Sequence, residues 1–147
     1  MNIIFFDIDG VLNHASCRFL MDWDIVDRVK QMAVDYDAKL VMSSSWKDVL
    51  INPALYNEPD KAFVYNLIND LGDLFIGHTP DIDDEYREEE IQAWLNEHHE
   101  VNKFVILDDL PFGFPEVFPE NFVQTTGYNK EGFSLDNEKE ARTILNR

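Results

Sequence analysis

The chain has 147 residues, with 29 Asp plus Glu against 12 Lys plus Arg and a formal net charge of −17. Hydrophobic residues make up 45% and aromatics 13%, which excludes the acidic disordered class, because such chains are poor in large apolar side chains. The charge also removes the usual route to a nucleic-acid backbone, which relies on clustered Lys and Arg, and a lone cysteine, Cys17, excludes an internal disulfide.

The length suits one domain spanning 1–147. The N-terminal segment Met-Asn-Ile-Ile-Phe-Phe-Asp has no basic stretch, and no run approaches the roughly 18 apolar residues of a membrane helix. The expectation is a cytoplasmic protein without membrane contact.

Ile3-Ile4-Phe5-Phe6 is a continuous apolar run that ends in Asp7-Ile8-Asp9-Gly10 and reads as a buried strand stopped by a turn. Ile25, Val29, Met32 and Tyr36 follow at helical spacing, and Leu40-Val41-Met42 reads as a second strand, ending in Ser43-Ser44-Ser45. Phe63, Leu67 and Leu71, with Val64 and Ile68, predict another helix before a third strand at Leu74-Phe75-Ile76. Ile91, Trp94, Leu95 and His98 mark a helix ahead of the fourth strand, Phe104–Leu107, which ends in Asp108-Asp109. Phe122-Val123 is a weaker fifth strand, and Ala141, Ile144 and Leu145 indicate a last helix. Short buried strands alternating with helices predict a doubly wound (Rossmann-like) α/β fold, a parallel sheet of about five strands. Ligands of such sheets bind beyond the carboxyl ends of the strands, where Asp7, Asp9, the serines and the Asp108-Asp109 pair all fall. The stretch from Leu110 to Pro119 follows directly and reads either as an active-site loop or as a connection pinned by packed Phe rings.

Converging carboxylates need an explanation, because two like charges about 4 Å apart repel by roughly 4 kcal/mol at an effective dielectric near 20. Either one is protonated or a cation sits among them, and a hard oxygen site suits Mg²⁺, which takes one or two carboxylates plus substrate phosphate. Asp-X-Asp alone is more often a turn or a helix cap. The hydroxyls and second acidic pair at later strand ends favour a site.

Phe5-Phe6-Asp7-Ile8-Asp9-Gly10-Val11-Leu12-Asn13 resembles the first motif of the haloacid dehalogenase-like (HAD) phosphohydrolase superfamily. Together with the segments Leu40–Trp46, Gly77–Pro80, Arg87–Leu95 and Val105–Asp109, the pattern is similar to the small HAD domains associated with RNA-repair proteins. The resemblance implies that Asp7 is the nucleophile forming an aspartyl phosphate, and that Asp9 is the general acid and then the base. It implies Ser44, or Ser43, as the phosphate-binding serine, and Arg87 as the basic residue, with Lys103 as competitor. It implies Mg²⁺ held by Asp7, by Asp9 through its backbone carbonyl, and by Asp108 and Asp109, either of which could be the direct ligand. Three plainer expectations stand beside these roles. The serine run could cap the helix that follows, Arg87 could pair with the neighbouring glutamates on the surface, and Thr79 is expected to cap rather than catalyse. His14 and Arg18 lie where the family carries a mobile flap and are candidates for substrate contact.

About 15 residues separate Asp9 from the first helix and about ten separate Gly77 from Arg87, so neither gap holds a folded cap domain. The resemblance then implies an open site, with a phosphorylated small molecule or a phosphorylated chain end as substrate. Seven acidic residues and one Arg between Thr79 and Glu90 argue against an extended nucleic-acid track. The expected activity is Mg²⁺-dependent phosphomonoester hydrolysis of a nucleotide, a polynucleotide end or another small phosphomonoester. The alternatives are a non-catalytic phosphate- or metal-binding interaction domain and a phosphotransferase.

Overall fold

The computed structural model describes residues 1–17, 20–83 and 85–147. Arg18, one of the two flap candidates, lies outside them. Among the described residues, five strands form one all-parallel sheet: β1 (Asn2–Phe6), β2 (Ala38–Met42), β3 (Phe75–His78), β4 (Lys103–Asp108) and β5 (Phe122–Gln124), in the order β3-β2-β1-β4-β5. The helices are α1 (Trp23–Asp35), α2 (Asp48–Ile51), α3 (Glu58–Leu71), α4 (Arg87–Asn96), α5 (Phe114–Val117) and α6 (Leu135–Leu145). This is the expected α/β architecture, with helices on both faces of the sheet and no large cap. No described helix is long and apolar enough to cross a membrane.

Alternation along β1 divides the core. Ile4 and Phe6 face one side, where Ile25, Val29 and Met32 of α1, Val64, Leu67 and Leu71 of α3, and Ala141 and Ile144 of α6 pack. Ile3 and Phe5 face the other, against Ile91 and Trp94 of α4 and the rings of Phe114 and Phe118. Phe5 meets Trp94 edge-on at 5.4 Å and Phe104 at 5.9 Å, a favoured aromatic geometry. Both faces of β1 are thus sealed, which is why its sequence reads as an unbroken apolar run.

Two elements differ from the sequence reading. Leu74 closes a 3₁₀ turn at Gly72–Leu74, so β3 begins at Phe75, and Ile76 is exposed on what is an edge strand. The stretch after Asp109 is pinned by packed Phe rings and also touches Arg87. Phe114 and Phe118 are buried and pin it, whereas Phe112 stacks over the Arg87 guanidinium at 4.8 Å.

The sheet ladder runs on past the strand ends. Asp7 N–H donates to Leu107 O (3.0 Å), Ser43 N–H to Phe6 O (2.8 Å), Thr79 N–H to Met42 O (3.0 Å) and Thr125 N–H to Asp108 O (2.9 Å). These bonds fix the polar residues along one edge. The strand order reverses between β1 and β4, the point at which doubly wound sheets open a crevice for ligands.

Candidate active site

Asp7 leaves β1 almost wholly buried, and its Oδ1 accepts the Ile8 N–H at 2.8 Å. Asp108 ends the neighbouring β4, with 1% of its surface exposed. Asp109 follows it and lies against Gly10, where the chain turns with φ at 79°. A Cβ at Gly10 would come within 2.3 Å of Asp109 Oδ2, so the turn requires glycine for both conformation and space. Carboxylate oxygens of Asp7, Asp108 and Asp109 all lie within 4.8 Å of one another.

Arg87, the first residue of α4, reaches into this cluster. Its Nη1 lies 3.0 Å from Asp7 Oδ2 and 2.9 Å from Asp108 Oδ2, and 3.4 Å from the Ser43 carbonyl. The side chain is buried and pairs with the site rather than with the surface glutamates around it. Lys103, the competing basic residue, opens β4 at the far end of the sheet and donates to Leu145 O at 3.4 Å.

Burial pushes the Asp7 carboxyl above its usual range, while the Arg87 charge, the Ile8 N–H and the Ser44 hydroxyl pull it back. Burial and then the Asp7 charge raise Asp108 well above an ordinary carboxyl, against the pull of Arg87. Burial also raises Asp109. Arg87 stays firmly protonated, because the charges of Asp7 and Asp108 outweigh its own desolvation. Asp7 and Asp108 therefore share one guanidinium, Asp109 lies beside them, and all three resist ionisation.

That donor set fits a hard divalent cation. Mg²⁺ takes oxygen ligands, carboxylates above all, and the three acids bring theirs within 4.8 Å of one another. Among the described residues, the clustered acids do not include the Asp9 carboxylate, one of the four expected to converge. It is exposed, and accepts the Asn13 amide at Oδ1 and the Trp46 indole N–H at Oδ2, both at 2.9 Å.

The serines divide. Ser44 Oγ caps the 3₁₀ turn Ser45–Lys47 by accepting the Trp46 N–H at 3.2 Å, and also lies against Asp7. Ser43 is buried, and its Oγ has no hydrogen-bond partner among the described residues. Thr79 caps no helix. Its hydroxyl takes the Lys47 ammonium at 3.2 Å, eight residues before α4 begins. His14 is drawn to Asp22, the N-cap of α1, with Nε2 2.7 Å from Oδ2.

Sequence reasoning missed three features. Lys47, a surface residue by composition, has 1% of its surface exposed and pairs with Glu90 Oε1 at 2.7 Å. Glu90, counted among the surface acids, is fully buried and its other oxygen accepts the N–H groups of Ile82 (2.8 Å) and Asp83 (3.2 Å). The signal was there for Glu90, since i and i+3 share a helix face and Arg87 already points inward. Asn13 braces the loop at residues 7–10, accepting Gly10 N–H at 2.9 Å while it holds Asp9.

Comparison with curated proteins and with solved structures gave no match. A family model described as the HAD domain in Swiss Army Knife RNA repair proteins matches residues 3–137. The loop at residues 7–10, the serines, α4 and the Asp108-Asp109 pair all lie within that span, and the chain belongs to this HAD domain family.

Proposed function

We propose that the protein is a Mg²⁺-dependent phosphomonoester hydrolase that works through an aspartyl phosphate on Asp7. The observation that carries this reading is the convergence of Asp7, Asp108 and Asp109 at the sheet's switch point, the first two paired with Arg87, in a chain of the HAD family. Asp7, Asp108 and Asp109 would hold the cation, with the Asp9 carbonyl completing the protein ligands. When bound, the cation offsets the acids and the charge of the phosphoryl oxygens.

Asp7 acts as nucleophile in its ionised form, which Arg87, the Ile8 N–H and the Ser44 hydroxyl favour. One Asp7 oxygen bonds to phosphorus while the bond to the leaving oxygen breaks. Asp9, carrying a proton, gives it to that oxygen. Water then attacks phosphorus and loses a proton to Asp9, the bond to Asp7 breaks and phosphate departs. Arg87 and a serine hydroxyl, Ser44 or the unpartnered Ser43, donate to the equatorial phosphoryl oxygens, where charge develops. Asn13 and the Trp46 indole hold the Asp9 carboxylate in place between steps. The substrate is a phosphorylated small molecule or a phosphorylated chain end, entering an edge without a large cap.

The test is phosphate release from an aryl phosphate and a panel of nucleotides. The expected result is turnover with Mg²⁺, lost on chelation and in Asp7→Asn. Turnover retained in Asp7→Asn removes the assignment of the nucleophile.

A further inference from the structure

A cavity of about 160 Å³ opens beside Asp9, with Asn13, Trp46, Asp60, Phe63 and Tyr128 in its walls and none of the three clustered acids lining it. Each wall is held by a different part of the fold. Trp46 follows β2, its indole N–H fixed on Asp9 Oδ2 and its ring packed on Phe63 at 4.7 Å. Asp60 and Phe63 are three residues apart in α3 and share a face. Tyr128 comes from the segment after β5, and its carbonyl accepts the Ala15 N–H at 2.7 Å. That segment is clamped to the nucleophile loop by Phe133 N–H to Val11 O (2.9 Å) and by the Thr125 hydroxyl to Gly10 O (2.7 Å).

From this arrangement we infer that the cavity binds a flat ring carried by the leaving group of the phosphoester. The inference rests on the hydrolase reading above and narrows its substrate class. Three of the eight lining residues, Trp46, Phe63 and Tyr128, are aromatic, Leu20 and Pro59 add apolar surface, and aromatic side chains bind planar rings by stacking. Its volume is below the roughly 300–1,000 Å³ of sites that enclose a whole ligand, so it suits one ring system, with the phosphate outside it at Asp7. Among the described lining residues the charged groups, Asp9 and Asp60, are both carboxylates, so the ring is uncharged or bears hydrogen-bond donors, and an acidic ring is rejected. The position is also chemical, because Asp9 is the proposed proton donor to the leaving oxygen and itself lines the cavity. An aryl phosphate and a nucleoside monophosphate share the required ring and differ in its distance from phosphorus.

The experiment compares adenosine monophosphate, phenyl phosphate and ribose 5-phosphate, which lacks a flat ring, in wild type, Tyr128→Ala and Phe63→Leu. Because leaving groups differ in intrinsic reactivity, the readout is the variant-to-wild-type ratio of kcat/KM for each ester. The expected result is a loss of about tenfold for one or both ring-bearing esters, with ribose 5-phosphate turnover unchanged, and the ester affected reports where the ring sits. Tyr128 is 47% exposed, so its truncation leaves the fold intact, and it keeps the test valid if Phe63→Leu melts early. Equal ratios for all three esters overturn the ring site while leaving the hydrolase standing. Absence of turnover of every ester, wild type included, overturns the hydrolase reading and this inference with it.

Discussion

Replacing Lys47 with Met isolates the buried ion pair behind the candidate site. Lys47 Nζ lies 2.7 Å from Glu90 Oε1 and 3.2 Å from Thr79 Oγ1, and neither charged side chain has more than 2% of its surface exposed. At an effective dielectric near 20, charges at 2.7 Å attract by about 6 kcal/mol, which is a gross figure offset by the several kcal/mol of taking each ion from water. Removing one partner of such a pair costs about 3–5 kcal/mol, since the other charge stays behind uncompensated. Glu90 keeps two backbone N–H donors, from Ile82 and Asp83, which places Lys47→Met near the lower end, about 3 kcal/mol. For a chain of this length that is a fall in Tm of about 6–12 °C. Urea and thermal unfolding of wild type, Lys47→Met, Glu90→Gln and the double variant measure it, and the double variant should lose less than the sum of the singles. The pair also ties the Ser44 turn to α4, three residues from Arg87, so kcat should fall in variants that still fold. A loss under about 1 kcal/mol with additive singles would refute the reasoning.

Mg²⁺ should stabilise the protein, by about 2.7 kcal/mol at a concentration one hundred times its Kd, read as a Tm rise of several degrees that chelator reverses. In Asp108→Asn/Asp109→Asn that rise should vanish. Gly10→Ala should cost about 1–3 kcal/mol and weaken the Mg²⁺ response, because the new Cβ meets Asp109 and the positive φ disfavours it; thermal melts with and without Mg²⁺ check both effects. Asp22 caps α1, and the His14 contact and two backbone N–H bonds hold its carboxyl below the ordinary 3.8 against the opposing effect of burial. A lowered folded pKa stabilises above the unfolded value and is lost as acid is added. Asp22→Ala should therefore cost about 1 kcal/mol at neutral pH, with the gap narrowing below pH 3.8, as unfolding across a pH series would show.

The strands were legible because the sheet buries both faces of β1, β2 and β4, so each reads as an apolar run with its chemistry at the end. Asp7 and Asp108 were legible for the same reason. That Arg87 and not Lys103 lies at the acids was also within reach, since Lys103 opens a strand that rises about 3.3 Å per residue and so starts about 17 Å from the Asp108 end. The direction of the Asp9 side chain was not, because strand alternation ends where the chain turns at Gly10. Nor was the burial of Lys47, whose place depends on how a 3₁₀ turn after β2 meets a helix forty residues later. β3 was read as buried because an edge strand with Phe and Ile resembles an interior one when its neighbours are unknown.

The most direct test of the account is to catch the covalent intermediate. Protein mixed with Mg²⁺ and an aryl phosphate, quenched during turnover and reduced with borohydride, should carry homoserine at Asp7, the reduction product of an aspartyl phosphate. Homoserine at another aspartate, or its absence during turnover, would contradict it.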